Sequence, residues 1–75
     1  MWDEGMIAID QKVVYTYFVK HFKEGSKYGI NGGKISKLEI RRNNIISVLY
    51  DRGWVSEPVL DEEQVIYDMI IKLYN

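Results

Sequence analysis

Ile35-Ser36-Lys37-Leu38-Glu39-Ile40-Arg41-Arg42-Asn43-Asn44-Ile45-Ile46-Ser47-Val48-Leu49-Tyr50-Asp51 is the stretch whose reading decides the fold. From Ile35 to Arg42 the side chains alternate. Ser36, Leu38 and Ile40 fall on one side and Lys37, Glu39 and Arg41 on the other, the two-residue period of a half-buried strand. Asn43-Asn44 has the composition of a type I′ turn, because asparagine tolerates positive φ. Ile45 to Asp51 then returns as the partner strand. Paired through a two-residue turn, Leu38 and Ile40 share a face with Ile45 and Leu49. Ile46, Val48 and Tyr50 lie opposite, beside Lys37, Glu39 and Arg41.

Upstream, Lys12 to Lys23 is rich in β-branched and aromatic residues: Val13, Val14, Tyr15, Thr16, Tyr17, Phe18 and Val19. Both of its faces are apolar, as in a strand covered on both sides. Trp2 to Ile9 reads as a first strand, joined to it through Asp10-Gln11. Glu24 to Gly33 reads as a mobile loop around Gly25, Gly29, Gly32 and Gly33. Downstream, Gly53 permits an unusual backbone shape at the exit from the sheet, and Trp54 is expected to fold back as a lid on the core edge. Pro58 ends regular pairing.

Leu60 to Asn75 reads as the closing helix. Asp61-Glu62-Glu63-Gln64 has the form of a capping box, with Leu60 and Val65 placed for a hydrophobic staple. Ile66, Met69, Ile70 and Leu73 recur at helical spacing. Asp68 and Lys72 are spaced as an i, i+4 pair. Tyr67, Ile71 and Tyr74 widen the apolar arc beyond what a small sheet needs.

The expected architecture is therefore one α+β domain spanning residues 1–75: a four-stranded antiparallel meander, β-β-β-β-α, with the C-terminal helix on one sheet face. The helix is expected to cover Phe18, Leu38, Ile40 and Leu49. The opposite face would carry Tyr15, Tyr17, Val48 and Tyr50 with nothing left to bury them. An uncovered aromatic face on a small protein marks an interface. The expected contact residues are Tyr15, Tyr17, Val48 and Tyr50 on the sheet and Tyr67, Ile71 and Tyr74 on the helix, in a homodimer or against a foreign partner.

The chain has 75 residues, a net charge of −1 and no cysteine. That composition excludes a disulfide or thiolate-zinc framework. Acidic residues follow Met1 where a signal peptide would be basic, and no apolar run is long enough to span a bilayer. The expectation is a cytoplasmic protein without membrane contact. Between residues 20 and 42, Lys20, Lys23, Lys27, Lys34, Lys37, Arg41 and Arg42 face only Glu24 and Glu39. Lys34, Lys37, Arg41 and Arg42 are accordingly the candidate nucleic-acid contacts, supporting a single-stranded RNA or DNA binder that uses the tyrosine-rich sheet face and the basic 20–42 segment.

Catalysis has no support in the residues. His21 is the single histidine, and no serine or cysteine stands at a motif spacing to it. The acidic run at Asp61 fits helix capping rather than a coordination loop. Lys34 follows Gly33 without the Ser or Thr of a P-loop. No catalytic, cofactor-binding or metal-binding residue is expected.

Tyr28-Gly29-Ile30, Gly32-Gly33-Lys34-Ile35-Ser36-Lys37-Leu38, Asp51-Arg52-Gly53-Trp54 and Leu73-Tyr74-Asn75 together resemble a family of short uncharacterised proteins from Gram-positive bacteria, their phages and mobile elements. Asp10-Gln11 departs from the Asp-Gly turn of such proteins. The resemblance implies a non-enzymatic accessory protein that binds and inhibits a host defence complex, an anti-defence inhibitor in the manner of anti-CRISPR proteins. The other expectations are the nucleic-acid binder and a small-ligand sponge built at a dimer interface.

Overall fold

Asn43 and Asn44 both hold positive φ, 49° and 70°, so the turn at the centre of the deciding stretch forms as read. It joins β3 (Ile35–Arg42) to β4 (Ile45–Asp51). The computed structural model describes residues 1–9 and 11–75. The expected turn at Asp10-Gln11 includes Asp10, which lies outside the described residues. Before the central hairpin come β1 (Trp2–Ala8) and β2 (Val14–His21). After it come a short fifth strand, β5 (Trp54–Ser56), and α1 (Asp61–Tyr74). Among the described residues the strands form one antiparallel sheet in the order β1-β2-β3-β4-β5. The α+β meander is as expected, with five strands instead of four.

The fifth strand exists because the chain reverses more tightly than Gly53 alone suggested. The left-handed position is Arg52, at φ 58°. Arg52 N–H donates to the Ser36 carbonyl and Asp51 N–H to the Gly53 carbonyl, at 3.0 and 2.9 Å. Trp54 then lies beside Tyr50 instead of leaving the sheet.

Two registers reverse the expected assignment of faces: in β2, Tyr17 stands opposite Ile40 and Val19 opposite Leu38, and in β4 a single extra residue shifts the ladder. From the turn the ladder runs Arg42 opposite Ile45 and Arg41 opposite Ile46, but Ile40 stands opposite Val48. Ser47 is the extra residue of a β-bulge, and beyond it every side chain of β4 is displaced to the other face. Leu38 therefore faces Tyr50 rather than Leu49. Tyr15, Tyr17, Val48 and Tyr50, expected on the open face, join Val19, Leu38 and Ile40 in the buried core with Ile66 and Ile70 of the helix. Phe18 and Leu49, expected beneath the helix, lie on the outer face opposite Glu39. Ile45, expected in the core, is 73% exposed.

The tyrosines tolerate this burial because each hydroxyl finds a partner, as a buried phenol requires. Tyr15 donates to Glu62 at 2.9 Å and Tyr50 to the Tyr28 carbonyl at 2.7 Å. The Tyr17 and Tyr74 hydroxyls lie 3.4 Å apart. Tyr17 also needs a neighbour without a side chain. It stands opposite Gly5, where a Cβ would come within 2.5 Å of its ring.

The helix start is capped one residue away from the expected box. Leu60 is the cap residue, and the Glu63 carboxylate accepts from Val59 N–H and Leu60 N–H at 3.0 and 2.8 Å. Glu63 is only 3% exposed. Burial pushes its pKa up, but the two backbone donors, Ser47 and the Arg42 charge outweigh it and leave the pKa lowered. Gln64 donates to Asp68 at 3.0 Å rather than reaching back to Asp61. Leu60 and Val65 are both exposed, as is Leu73. The widened arc is used: Tyr67, Ile71 and Tyr74 pack on the core edge. Tyr67 meets Trp54 with ring centroids 5.5 Å apart, so Trp54 covers the core edge as expected.

The glycine loop is anchored. Ile30 is buried in a 3₁₀ turn, Ile30–Gly32. The Asn75 side chain donates to the Ile30 carbonyl at 3.2 Å and accepts from Ile35 N–H at 3.0 Å. The last residue of the chain thus staples the loop to the start of β3. No helix of the described residues is long and apolar enough to cross a membrane.

Candidate functional site

The outer face of the sheet has no layer over it, and its residues follow from the ladder. Trp2 stands opposite Lys20, Lys20 opposite Lys37, and Lys37 opposite Asp51. The next row is Glu4, Phe18, Glu39 and Leu49, and the one after it is Met6, Thr16, Arg41 and Ile46. Rings and cations are interleaved here. Lys20 Nζ lies 5.8 Å from the Trp2 ring and 5.6 Å from the Phe22 ring. Lys37 Nζ lies 6.0 Å from Trp2, and the Arg41 guanidinium 5.3 Å from Phe18. The Arg52 guanidinium stacks on Tyr28 at 4.2 Å.

Lys20 and Lys37 face each other directly across the β2–β3 ladder, an arrangement that costs stability. Among the described residues Arg41 forms an ion pair with Glu39, and His21 Nε2 is hydrogen-bonded to Asp3, both at 2.6 Å. Lys20, Lys37 and Arg52 therefore have ring faces for neighbours but no carboxylate within ion-pair distance. They line a cleft of about 460 Å³ with Trp2, Phe22 and Tyr28. The cleft also has Asp51 and the hydroxyl residues Ser26 and Ser36 in its wall.

A family model, Domain of unknown function (DUF7678), matches residues 1–75. The chain belongs to this family. No curated protein and no solved structure matches it.

The cleft gathers pieces of the segments that carried the sequence resemblance. Tyr28, Ser36, Lys37, Asp51 and Arg52 come from three of them, and Asn75 from the fourth holds the loop that positions Tyr28. Of the candidate nucleic-acid residues, Lys37 and Arg41 reach the outer face. Lys34 and Arg42 are exposed elsewhere, and Arg42 acts on Tyr15 and Glu63 on the helix side. The residues expected at an interface are in or against the core: Tyr15, Tyr17, Val48 and Tyr50 under the helix, Tyr67, Ile71 and Tyr74 half-buried on it.

Sequence reasoning missed Trp2, Lys20, Phe22 and Arg52 as neighbours. Trp2 and Lys20 were legible as one row only once β1 was registered on β2. Arg52 was hidden because its position depends on its own positive φ.

The helix side holds a different surface. Ile7, Ile9, Val65, Ile66 and Met69 line a groove of about 320 Å³ between β1 and α1. Asp61 and Glu62 also line it. Nearby, the pKa of Tyr15 is raised by burial and by its hydrogen bond to Glu62. At the other end of the helix, Tyr74 is pushed up to about 12 by its hydrogen bond with Tyr17 and by burial.

Proposed function

We propose that this protein is a non-enzymatic binding module whose outer sheet face takes single-stranded nucleic acid. The observation that supports it is the interleaving of unpaired cations with exposed rings: Lys20 and Lys37 around Trp2 and Phe22, and Arg52 on Tyr28. Rings that carry cations on their faces are pre-arranged for stacked bases flanked by phosphates. The reading carried by the buried tyrosines is replaced by one carried by Trp2, Phe18, Phe22 and Tyr28. The overall charge of −1 is spread over the whole chain, whereas on this face Lys20, Lys37, Arg41 and the neighbouring Arg52 stand against Glu4, Glu39 and Asp51.

The test is fluorescence anisotropy with labelled single-stranded RNA and DNA across a salt series. Binding should weaken with salt by about 0.7 log units per log unit of salt for each phosphate contacted. Lys20→Glu and Lys37→Glu should each reduce that slope. No binding at low salt, or binding indifferent to these substitutions, overturns the proposal.

The groove between β1 and α1 favours a second reading, in which the partner is a protein. Ile7, Ile9, Val65, Ile66 and Met69 suit a partner's apolar side chains. A host defence complex is the partner that the sequence resemblance suggests for it. Val65→Glu separates the two readings: it removes a protein contact in the groove and leaves nucleic-acid binding unchanged. A dimer through the same groove would be lost in that variant too, which sedimentation equilibrium reads directly.

A further inference from the structure

We infer that the cleft beside Trp2 is a subsite for one guanine nucleotide, with the base among the rings, its Watson–Crick edge on Asp51 and its phosphate on Lys20, Lys37 and Arg52. This rests on the reading of the outer face as a nucleic-acid surface and names the unit that one part of it selects. The cleft is of small-ligand size: about 460 Å³ lies within the roughly 300–1,000 Å³ of such sites.

Each wall contributes a different chemistry. Trp2, Phe22 and Tyr28 are about half exposed, so their rings can be covered by a base without unpacking the core. Lys20, Phe22 and Trp2 form one cluster, in which a lysine on a flexible stem can swing from the ring to a phosphate. The Arg52 guanidinium lies over the Tyr28 ring, on a backbone fixed by its own N–H to the Ser36 carbonyl. Three cations around one carboxylate leave the cleft in need of an anion, and a phosphate also relieves the direct repulsion between Lys20 and Lys37.

Asp51 gives the base preference. It closes the outer-face row opposite Lys37, yet it forms no ion pair among the described residues and is exposed at the cleft wall. A carboxylate offers two acceptors and no donor. Guanine alone among the four bases presents two adjacent donors on its Watson–Crick edge, N1–H and the N2 amine. Adenine and cytosine offer one donor beside an acceptor, and uracil an N–H flanked by carbonyl oxygens that the carboxylate repels. Unpaired bases of single strands are read on this edge.

The experiment is a set of amide chemical-shift titrations of the full chain with GMP, AMP, CMP, UMP, guanosine and inorganic phosphate, repeated with short oligoguanylate and oligouridylate strands. GMP should shift residues 20–22, 36–37 and 51–52 and bind at least about fivefold tighter than UMP, the lower end of what a bidentate base contact discriminates. Guanosine and phosphate alone should each bind more weakly than GMP. Asp51→Asn should level the four nucleotides while keeping phosphate-dependent binding, and Lys20→Ala with Arg52→Ala should weaken all of them. Equal binding of the four nucleotides, no shift by GMP, or a GMP preference that survives Asp51→Asn overturns the subsite. If the two strands bind alike, with shifts at Phe18, Lys20, Lys37 and Arg41 and no preference for guanine, the subsite fails while the outer-face reading stands. If GMP binds as described and neither strand binds, the outer-face reading fails and the cleft is a site for the free nucleotide.

Discussion

The two faces of this sheet are built from similar residue types and treat them oppositely. Under the helix, Tyr15, Tyr17 and Tyr50 are buried with Val19, Leu38, Ile40 and Val48, and each phenol is tied to a fixed partner. On the outside, Trp2, Phe22 and Tyr28 stay exposed and their company is cationic. The inner aromatics contribute area and hydrogen bonds to the core. The outer ones leave area and charge unused by the fold. Aromatic content alone does not separate a core from a surface for binding. What separates them is whether the polar atoms around the rings are already satisfied.

The comparison is broken most severely on the inner face. Ile70→Ala should cost about 2–5 kcal/mol, since Ile70 is fully buried against the sheet. Ile46→Ala on the outer face should cost only about 0.5 kcal/mol. Urea unfolding of the two variants measures the contrast, and similar costs would contradict the assignment of faces. Tyr17→Glu belongs with the large effects: it should unfold the chain, because the carboxylate would replace a phenol packed between Gly5 and Tyr74.

Glu63→Ala should cost about 1–3 kcal/mol by leaving Val59 N–H and Leu60 N–H without their acceptor. Its pKa is lowered in the folded state, so its contribution is present above the ordinary carboxylate pKa and is lost as pH falls through the folded value. Acid unfolding should therefore be shallower in Glu63→Gln than in the native chain. Gly5→Ala follows at about 1–3 kcal/mol of overpacking, because the new methyl meets the Tyr17 ring. Its readout is urea unfolding, with near-ultraviolet circular dichroism reporting the displaced tyrosine.

At alkaline pH the inner tyrosines give a second, gentler contrast. Tyr74 is raised to about 12, by the Tyr17 hydrogen bond first and burial second, and Tyr15 is raised by burial and Glu62. A raised folded pKa means stability that is full below the ordinary tyrosine value near 10 and is lost as pH climbs from there toward 12. Thermal unfolding across that window should show Tm falling, and Tyr74→Phe should flatten the fall. The smallest effect has the opposite sign. Lys20→Glu, with Lys37 on one side and Trp2 on the other, replaces a like-charge pair with an attractive one and should stabilise by about 0.2–1 kcal/mol while weakening nucleic-acid binding. A destabilised Lys20→Glu would mean that Lys20 and Lys37 do not face each other.

Much of the architecture was legible in the chain itself. Alternation located β3 and β4, β-branched and aromatic density located β2, and Asn43-Asn44 specified the turn between β3 and β4 through its tolerance of positive φ. The helix over Asp61–Tyr74 followed from its spacing. These are local properties, set by a few neighbouring residues and by steric rules that hold in any context.

What only the tertiary structure decided was which face is which. A single extra residue, Ser47, shifts the β3–β4 ladder and carries Val48 and Tyr50 to the side of Leu38 and Ile40. Alternation cannot reveal this, because a bulge leaves the local pattern on both sides intact and changes only their phase. The choice was made by burial: the shifted register puts Val48 and Tyr50 with Tyr15, Tyr17 and Val19 under Ile66 and Ile70, and leaves Lys37, Glu39 and Arg41 beside Phe18 and Leu49 in solvent. The cleft depends on the same choice. Its lining runs from Trp2 in β1 to Arg52 after β4, and only long-range pairing brings them together.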